Sequence, residues 1–220
     1  MCSSDLVSTR RRVIPERTDR REEVADATIE AIADVGIERA SLREIAARLG
    51  TTIGVLTHQF RDRDELLAYA FTAVTTRIRE RSDSAALNDD AFAGVVDMLL
   101  EALPLDQRSR RETAVWLAFS AAATTHTDLA AIHNRVYEHW TNRVAEALSA
   151  IDSSIEADLA ARLLIATVDG VALRMMASGT RSTDGDVRPL IEHVVRSHLP
   201  TLPRGSTNRS KANGARKRPS

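Results

Sequence analysis

The chain has 220 residues, of which 43% are hydrophobic and only 4% aromatic, a composition that supports a core and favours helices over sheets. Its one cysteine, Cys2, excludes an intramolecular disulfide and a cysteine-rich metal site, as expected of a cytoplasmic protein. The net charge is −1, and the sequence contains neither a run of about 18 apolar residues nor a secretion signal. We therefore expect an all-α protein without a membrane span.

The first predicted unit, residues 1–17, is a flexible arm that is rich in arginine and has no apolar periodicity. Such an arm can lie in the minor groove of DNA or can be a solvated tail. Thr18 then precedes a predicted helix with an apolar stripe that includes Val24, Ala31 and Ile32. This helix ends at Gly36.

Residues 41–60 predict two short helices joined by a tight turn. Ser41 is a good N-cap, and Glu44 three residues later completes the pattern of a capping box. The first helix runs to Gly50, since glycine adopts the left-handed conformation that ends a helix without Cβ strain. Thr52 is placed to cap the second helix. This layout is typical of a helix-turn-helix.

The second short helix has an inward face of Ile53, Leu56 and Phe60 and an outward face that is small and polar. The outward positions are Thr51, Gly54, Val55, Thr57 and His58. A major groove about 12 Å wide admits one helix, which presents its N-terminus to the base edges. Gly54 costs about 1 kcal/mol against alanine, so its presence favours close approach to DNA. Two short helices around a glycine turn also occur in helical proteins that do not bind DNA.

A third helix is predicted to begin after Asp62, which with Glu65 has another capping pattern, and to continue to about Arg81. Residues 39–63 contain five arginines against two acidic residues, a local excess of +3. Arg43 and Arg63 are the first candidates for phosphate contacts. The other interpretation is that these arginines only solvate helix faces.

Residues 18–81 resemble the N-terminal DNA-binding domain of the TetR family of transcriptional repressors. The matching or conservatively changed positions are Gly50, Thr52, Gly54, Leu56, Phe60, Arg63, Leu66 and Leu67. Thr57 and Gln59 depart from the family, which usually has a phosphate-contacting tyrosine and a second aromatic residue there. The resemblance implies a three-helix DNA-binding domain whose DNA-contacting residues are Ser41, Arg43, Thr52, Ile53, Gly54, Val55, Thr57, His58 and Arg63.

Residues 82–199 predict about five more helices, and hence about nine in the chain. Breaks are expected at 82–89, Pro104, 124–128, 152–154 and 179–186. The phrases RRETAVWLAF, LAAIHNRVYEHW and LLIATVDGVALRMMAS resemble the C-terminal domain of regulators similar to the betaine-pathway repressor BetI. The resemblance implies a regulatory domain that encloses a small-molecule pocket and dimerises through its last two long helices.

The candidate pocket residues share helix faces or carry a charge in an apolar helix. They are Trp116, Phe119, His133, Tyr137, Trp140, Asp169 and Met175. A buried carboxylate must be paired or aimed at a ligand, and among aromatic rings it can hold a cation. The alternative is that the aromatic and methionine side chains are core and that Asp169 pairs with Arg174 or another neighbour.

The last two helices each have an apolar face, which predicts a homodimer. The candidate interface residues are Leu164, Val168, Val171, Ile191, Val194 and Val195. A two-fold dimer would place two recognition helices roughly 34 Å apart on palindromic double-stranded DNA. If both helices instead pack only within their own subunit, the protein is a monomer.

Residues 200–220 contain six basic and no acidic residues and predict a disordered tail. No phosphate-binding glycine loop, nucleophile elbow or metal-binding motif is present, so we expect neither an enzyme nor a cofactor or metal. The prediction is a repressor that a small molecule, as yet unknown, releases from its operator. The alternative is a helical small-molecule-binding protein with weak or lost operator specificity.

Overall fold

The computed structural model describes residues 17–179 and 181–199, and this part of the chain forms nine helices and no strand. The helices are α1 (Arg17–Val35), α2 (Leu42–Arg48), α3 (Ile53–Gln59), α4 (Arg63–Ala85), α5 (Ala91–Leu100), α6 (Gln107–Ala123), α7 (Thr127–Ile151), α8 (Ala157–Ala177) and α9 (Asp184–Ser197). The all-α prediction is confirmed. The arm at residues 1–16 and the tail at 200–220 lie outside the described residues.

Local signals set the ends of the first helices. Gly36, with a φ of +80°, follows the last residue of α1, as predicted. Gly50, with a φ of +60°, lies in the turn after α2, also as predicted. The Ser41 hydroxyl accepts the backbone N–H of Glu44 at 3.2 Å. The predicted capping box is nevertheless only half formed, because the Glu44 carboxylate binds Arg48 Nε at 3.0 Å instead of reaching back.

The caps of α3 and α4 differ from each other. Thr52 has the extended backbone of an N-cap, but its side chain caps no backbone N–H, so that part of the prediction is wrong. Asp62 accepts the N–H of Glu65 at 2.8 Å, and the Glu65 carboxylate accepts the N–H of Arg61 at 2.8 Å. The first turn of α4 is thus fixed from both sides.

Helix α4 continues past its predicted end at Arg81. Ser82, where a break was expected, is fully buried, and its hydroxyl donates to the carbonyl of Met98 at 3.2 Å. The predicted break is therefore wrong at its start, since α4 ends only at Ala85. The hydrogen bond from Ser82 to Met98 of α5, 16 residues away, lies in this added part of α4.

Two main cores divide the described residues. One, which we call the head core, joins α1, α2, α3 and the first half of α4 with Val115 of α6. The other, the body core, joins α5, α7, α8 and α9. Helix α4 contributes Leu66 and Val74 to the head core and reaches the body at Ser82, so a shift of α4 displaces groups in both units.

Ion pairs also connect α4 and α6 to the head. Arg77 of α4 binds Asp26 of α1 at 2.6 Å, and Arg111 of α6 lies 3.3 Å from Glu30 of α1. The carboxylate of Glu112, 3% exposed, is held by Arg81 of α4 at 2.6 Å. The pair of Arg81 with the buried Glu112 fixes α4 against α6. It holds these helices more firmly than the exposed pairs with Asp26 and Glu30 hold them to α1.

Candidate nucleic-acid interface and internal cavity

Helix α3 is anchored by its inner side. Leu56 and Phe60 are buried in the head core. The guanidinium of Arg21 on α1 lies 5.1 Å from the ring centres of both Phe60 and Tyr69, and it donates to the carbonyl of Gln59 at 3.4 Å. These contacts fix the C-terminal end of α3 and leave its N-terminal end outward.

The outward face of α3 is small and polar. Thr52, Gly54, Thr57 and His58 are exposed, and Val55 is half-buried. The Thr57 hydroxyl donates to the carbonyl of Gly54 at 3.2 Å. The imidazole of His58 makes no hydrogen bond with any residue in the described ranges, so its ring nitrogens are available at this surface.

Ile53 is 40% exposed, and its predicted inward orientation is wrong. It lies in the first turn of α3, before the helix reaches the packed positions of Leu56 and Phe60. The outward position agrees with the place that the family resemblance gave Ile53 among the DNA-contacting residues. It adds an apolar group to the exposed face, of the kind that contacts thymine methyl groups.

Within the described residues, no contact requires a glycine at position 54. Its φ is not positive, and a Cβ added there would have one near neighbour, the Thr52 hydroxyl oxygen, at an ordinary 3.8 Å. Alanine would therefore fit, and it forms helix more readily by about 1 kcal/mol. The described part of the subunit gives no packing reason for this glycine.

The arginines near α3 are of two kinds. Arg43 is exposed and makes no ion pair or hydrogen bond within the described part of the chain. Arg48, in contrast, binds Asp34 at 2.7 Å and Glu44 at 3.0 Å. Arg43 can therefore bind phosphate, whereas the guanidinium of Arg48, on the same short helix, is already paired with carboxylates.

Arg63 is directed into the head. Its Nε donates to the carbonyl of Ala40 at 3.2 Å, and its Nη2 donates to the carbonyl of Ile37. Both acceptors lie in the connection between α1 and α2. The guanidinium expected to contact phosphate instead holds that connection, because two backbone carbonyls distant in sequence face it.

A cavity of about 380 Å³ lies between α4, α6, α7 and α8. Its inner wall includes Trp116, Trp140, Val168 and Asp169. Its exposed lining residues, which mark the mouth, include Arg79, Arg135 and His139. The volume is within the range of small-molecule sites.

Asp169 is the charged group of the inner wall. The Tyr137 hydroxyl donates to its Oδ2. Burial raises the pKa of Asp169, while the Tyr137 hydroxyl, the nearby His133 and the Trp116 side chain act in the opposite direction. Burial also raises the pKa of Tyr137, as does the Asp169 carboxylate, so the phenol remains a donor at neutral pH. Tyr137 positions a carboxylate that carries no ion pair among the described residues.

Five of the seven predicted pocket residues lie in the lining of the cavity or beside it. Trp116, Trp140 and Asp169 line the cavity. Tyr137 and His133 pack beside them with tilted rings, whose centres lie 5.2 Å and 5.5 Å from that of Trp116.

Phe119 and Met175 were wrongly placed in the lining. Phe119 is buried against Phe71, with ring centres 3.8 Å apart, and Met175 belongs to the body core. Sequence reasoning missed Arg79 and Arg135, because their helical spacing resembles that of any solvated arginine. Their position at a cavity appears only once α4 and α7 are packed together.

Family comparisons match both units of the fold. Residues 24–70 match the model of bacterial regulatory proteins of the tetR family, and residues 92–200 match that of the C-terminal domain of BetI-type transcriptional repressors. The chain belongs to the TetR family of transcriptional regulators. It is accordingly a regulator with a DNA-binding helix-turn-helix and not an enzyme.

Similar proteins agree with this family. The HTH-type transcriptional regulator PksA of Bacillus subtilis is 33% identical over 189 residues, covering 82% of this chain and 92% of PksA. A crystal structure of a transcriptional regulator from Rhodococcus sp. Rha1 has a TM-score of 0.75 at 29% identity and covers 82% of this chain and 96% of its own. A regulator from Saccharomonospora viridis, solved in complex with choline, has a TM-score of 0.70 at 20% identity, covering 84% and 97%. The last likeness shows the fold alone.

The predicted dimer residues of this TetR-family chain lie mostly inside the subunit. Leu164, Val168, Ile191 and Val195 belong to the body core, so their assignment to an interface is wrong. Val171 and Val194 are half-buried beside that core. The physical reason is that these faces already pack inside the subunit, that of α8 mainly against α7 and that of α9 mainly against α5.

A second apolar face of α8 points outward. At spacings of three and four, its exposed residues are Leu159, Leu163, Ala166, Gly170, Leu173 and Ala177. Leu190 of α9 is exposed as well. We call these seven residues the outer face. Monomeric proteins rarely expose several large apolar side chains together without a partner.

Other classes of site are not seen in residues 17–179 and 181–199. In these ranges no three His, Cys, Asp or Glu side chains are grouped to hold a metal ion. Within the same ranges, no helix is long and apolar enough to span a bilayer.

Proposed function

We propose that this TetR-family regulator is a homodimeric repressor that acts in the cytoplasm, binds a palindromic operator through α3 and leaves it when a small molecule occupies the cavity. The observation that carries the proposal is the outward face of α3, which combines exposed polar groups with a glycine that the subunit does not need. A helix with this face fits the major groove.

The proposed DNA contacts are those expected from the family, with one reassignment. Base edges and the nearby backbone face Thr52, Ile53, Gly54, Val55, Thr57 and His58, while Ser41 and Arg43 of the preceding turn and helix face phosphates. Arg63 becomes a positioning residue, because its donors already bind the carbonyls of Ile37 and Ala40. Its effect on DNA binding would pass through the orientation of α2.

The proposed dimer forms through the outer face. Leu163 and Leu173 lie on either side of Gly170, at which an added Cβ would meet nothing within 4 Å. Glycine in the middle of an exposed helix is unfavourable by about 1 kcal/mol, yet it permits close approach of a second α8. Pairing would bury the leucines and set two α3 helices roughly one DNA turn apart.

The proposed effector is an organic cation held at the inner wall of the cavity. Asp169 supplies the negative charge, and the rings of Trp116 and Trp140 supply cation–π surfaces. The Saccharomonospora viridis regulator, which was solved with choline, supports this class of ligand. Because α4 forms one wall and also enters the head core, binding there can change the spacing of the two heads.

Fluorescence anisotropy with duplexes tiled across the DNA next to the gene tests the operator proposal. We expect one duplex to bind at least about a thousandfold more tightly than its scrambled version at physiological salt. Equal and salt-sensitive binding to every tiled duplex would favour the alternative, a small-molecule-binding protein that has lost operator specificity. The departures at Thr57 and Gln59 make that alternative specific to this chain.

A further inference from the structure

Two cations stand at the mouth of the cavity without partners. Arg79 of α4 and Arg135 of α7 both line it and are both exposed. Neither makes a hydrogen bond or ion pair with any residue that the structure describes. On the same helices, Arg77 and Arg81 of α4 and Arg143 of α7 are each paired with a carboxylate.

The lining of the same cavity also contains a group of the opposite charge. Asp169 is half-buried in this lining, to which Trp116 and Trp140 also belong. A cation of one charge would use Asp169 alone and would leave two guanidinium groups facing solvent. Thr75 and Thr76 add hydroxyl-bearing side chains to the lining. The cavity lining therefore carries charges of both signs.

We propose that the effector is a zwitterion, with its ammonium group at Asp169 and its carboxylate or phosphate at Arg79 and Arg135. The inference rests on the proposed effector site and adds the second charged group of the ligand. Guanidinium groups bind carboxylates and phosphates through paired N–H donors, and such charge-assisted bonds are stronger than neutral ones. His139, another exposed residue of the lining, adds a ring N–H or a lone pair there.

The two ends of such a ligand have different structural effects. An ammonium group at Asp169 touches α6, α7 and α8. The anionic group connects Arg79 of α4 with Arg135 of α7, and α4 is the helix that continues into the head. The anionic end would therefore add a contact to α4, which already forms one wall of the cavity.

Isothermal titration calorimetry with three probes tests the inference: choline, phosphocholine and methyl phosphate. The first carries only the cation, the second both charges and the third only the anion. All titrations are made at one ionic strength, with the full-length protein. Two double variants are compared, Arg79→Gln with Arg135→Gln and, as the matched control, Arg20→Gln with Arg39→Gln, whose exposed arginines lie in the head. Asp169→Asn is the third variant.

We expect phosphocholine to bind the wild type at least tenfold more tightly than choline. The mouth variant should lose this advantage and retain the choline affinity, whereas the control should keep both. Asp169→Asn should weaken both choline and phosphocholine. Melting curves by circular dichroism verify that each variant is folded.

Three results would overturn the inference. Choline binding as tightly as phosphocholine, with sensitivity to Asp169→Asn, would leave the organic-cation proposal standing and remove the anionic group. Tight binding of methyl phosphate, unaffected by Asp169→Asn, would mean a simple anion site. Binding of none of the probes to the wild type would contradict both the inference and the proposed class of effector, while operator binding would be unaffected.

Discussion

Helices α3 and α8 each contain a glycine, Gly54 and Gly170, for which the described residues give no packing reason, as does α9 at Gly185. A Cβ at Gly54 would be at ordinary distance from a single hydroxyl oxygen, and one at Gly170 would meet nothing. Gly94 of α5 is different, since a Cβ there would lie 3.0 Å from the carbonyl oxygen of Ala86. At Gly54 and Gly170 the missing side chain leaves room for another molecule to approach the helix closely.

The side chains around each glycine indicate what approaches. Around Gly54 they are short and polar, with Thr57 and His58 exposed, as suits base edges and phosphates. Around Gly170 they are leucines and alanines, as suits a second helix. We propose that the same backbone device serves DNA on one face and a second subunit on the other.

The largest expected effect comes from a charge in the outer face. Leu163, which is 46% exposed, is changed to aspartate. Burying an unpaired carboxylate opposes pairing, so we expect a monomer and an operator affinity at least about a hundredfold lower, since one half-site is lost. Light scattering after size exclusion measures the mass. The control is Leu87→Asp, at a leucine 85% exposed outside that face; a Leu163→Asp protein that stayed dimeric would exclude the outer face.

Gly54→Ala tests the other surface. The added methyl group fits the free protein, so the free energy of unfolding should stay the same or rise by up to about 1 kcal/mol. Operator affinity should fall at least about tenfold, because the methyl group blocks close approach. The matched control is Gly185→Ala at the start of α9, where a Cβ would also lie 3.8 Å from a threonine hydroxyl. Unchanged operator affinity would show that DNA does not require the glycine.

Arginine replacements sharpen the assignment of the α3 side to DNA. For Arg43→Ala we expect an unchanged melting temperature and a salt dependence of operator affinity reduced by about one phosphate contact. For Arg63→Ala we expect the free energy of unfolding to fall by about 1–3 kcal/mol, since two carbonyls lose their donor, with the salt slope kept. The opposite pattern would restore the phosphate contact expected from sequence.

The smallest expected effect is a pH dependence of choline binding. Choline keeps its charge at every pH, so its affinity follows the ionisation of the groups around it. Burial raises the pKa of Asp169 and lowers that of His133. As the pH falls, the Asp169 carboxylate takes up a proton at a pH above the usual aspartate pKa of about 3.9. The affinity for choline then drops severalfold. Asp169→Asn should give weak binding with no such drop; an equal drop in both proteins would assign the effect to His133 or another group.

Sequence could predict the head better than the body for a physical reason. Ser41, Gly50 and Asp62 act through neighbours within a few residues, so the start of α2, the turn after α2 and the start of α4 followed from local chemistry. Which face of α8 turns inward depends mainly on its packing against α7 and α6, and both faces of α8 are apolar. Leu164 and Leu163 are adjacent in sequence, yet one is core and the other exposed.

The roles of polar residues were predictable only where their partners are local. Arg63 binds carbonyls 23 and 26 residues away, which no spacing rule indicates. Asp169 could be chosen as a candidate because a carboxylate in an apolar helix is conspicuous, and the structure places it in the lining of the cavity. Arg79 and Arg135 were missed because exposed arginines are common in helices, and only the packed cavity gives them a shared position.

The most direct test of ligand-controlled operator binding is the anisotropy of an operator duplex titrated with the protein, with and without saturating choline at one salt concentration. We expect choline to lower operator affinity about a hundredfold, equivalent to about 2.7 kcal/mol of coupling. By reciprocity the operator must weaken choline binding by the same factor. An unchanged operator affinity, with calorimetry showing choline bound in a manner that depends on Asp169, would contradict the proposed coupling.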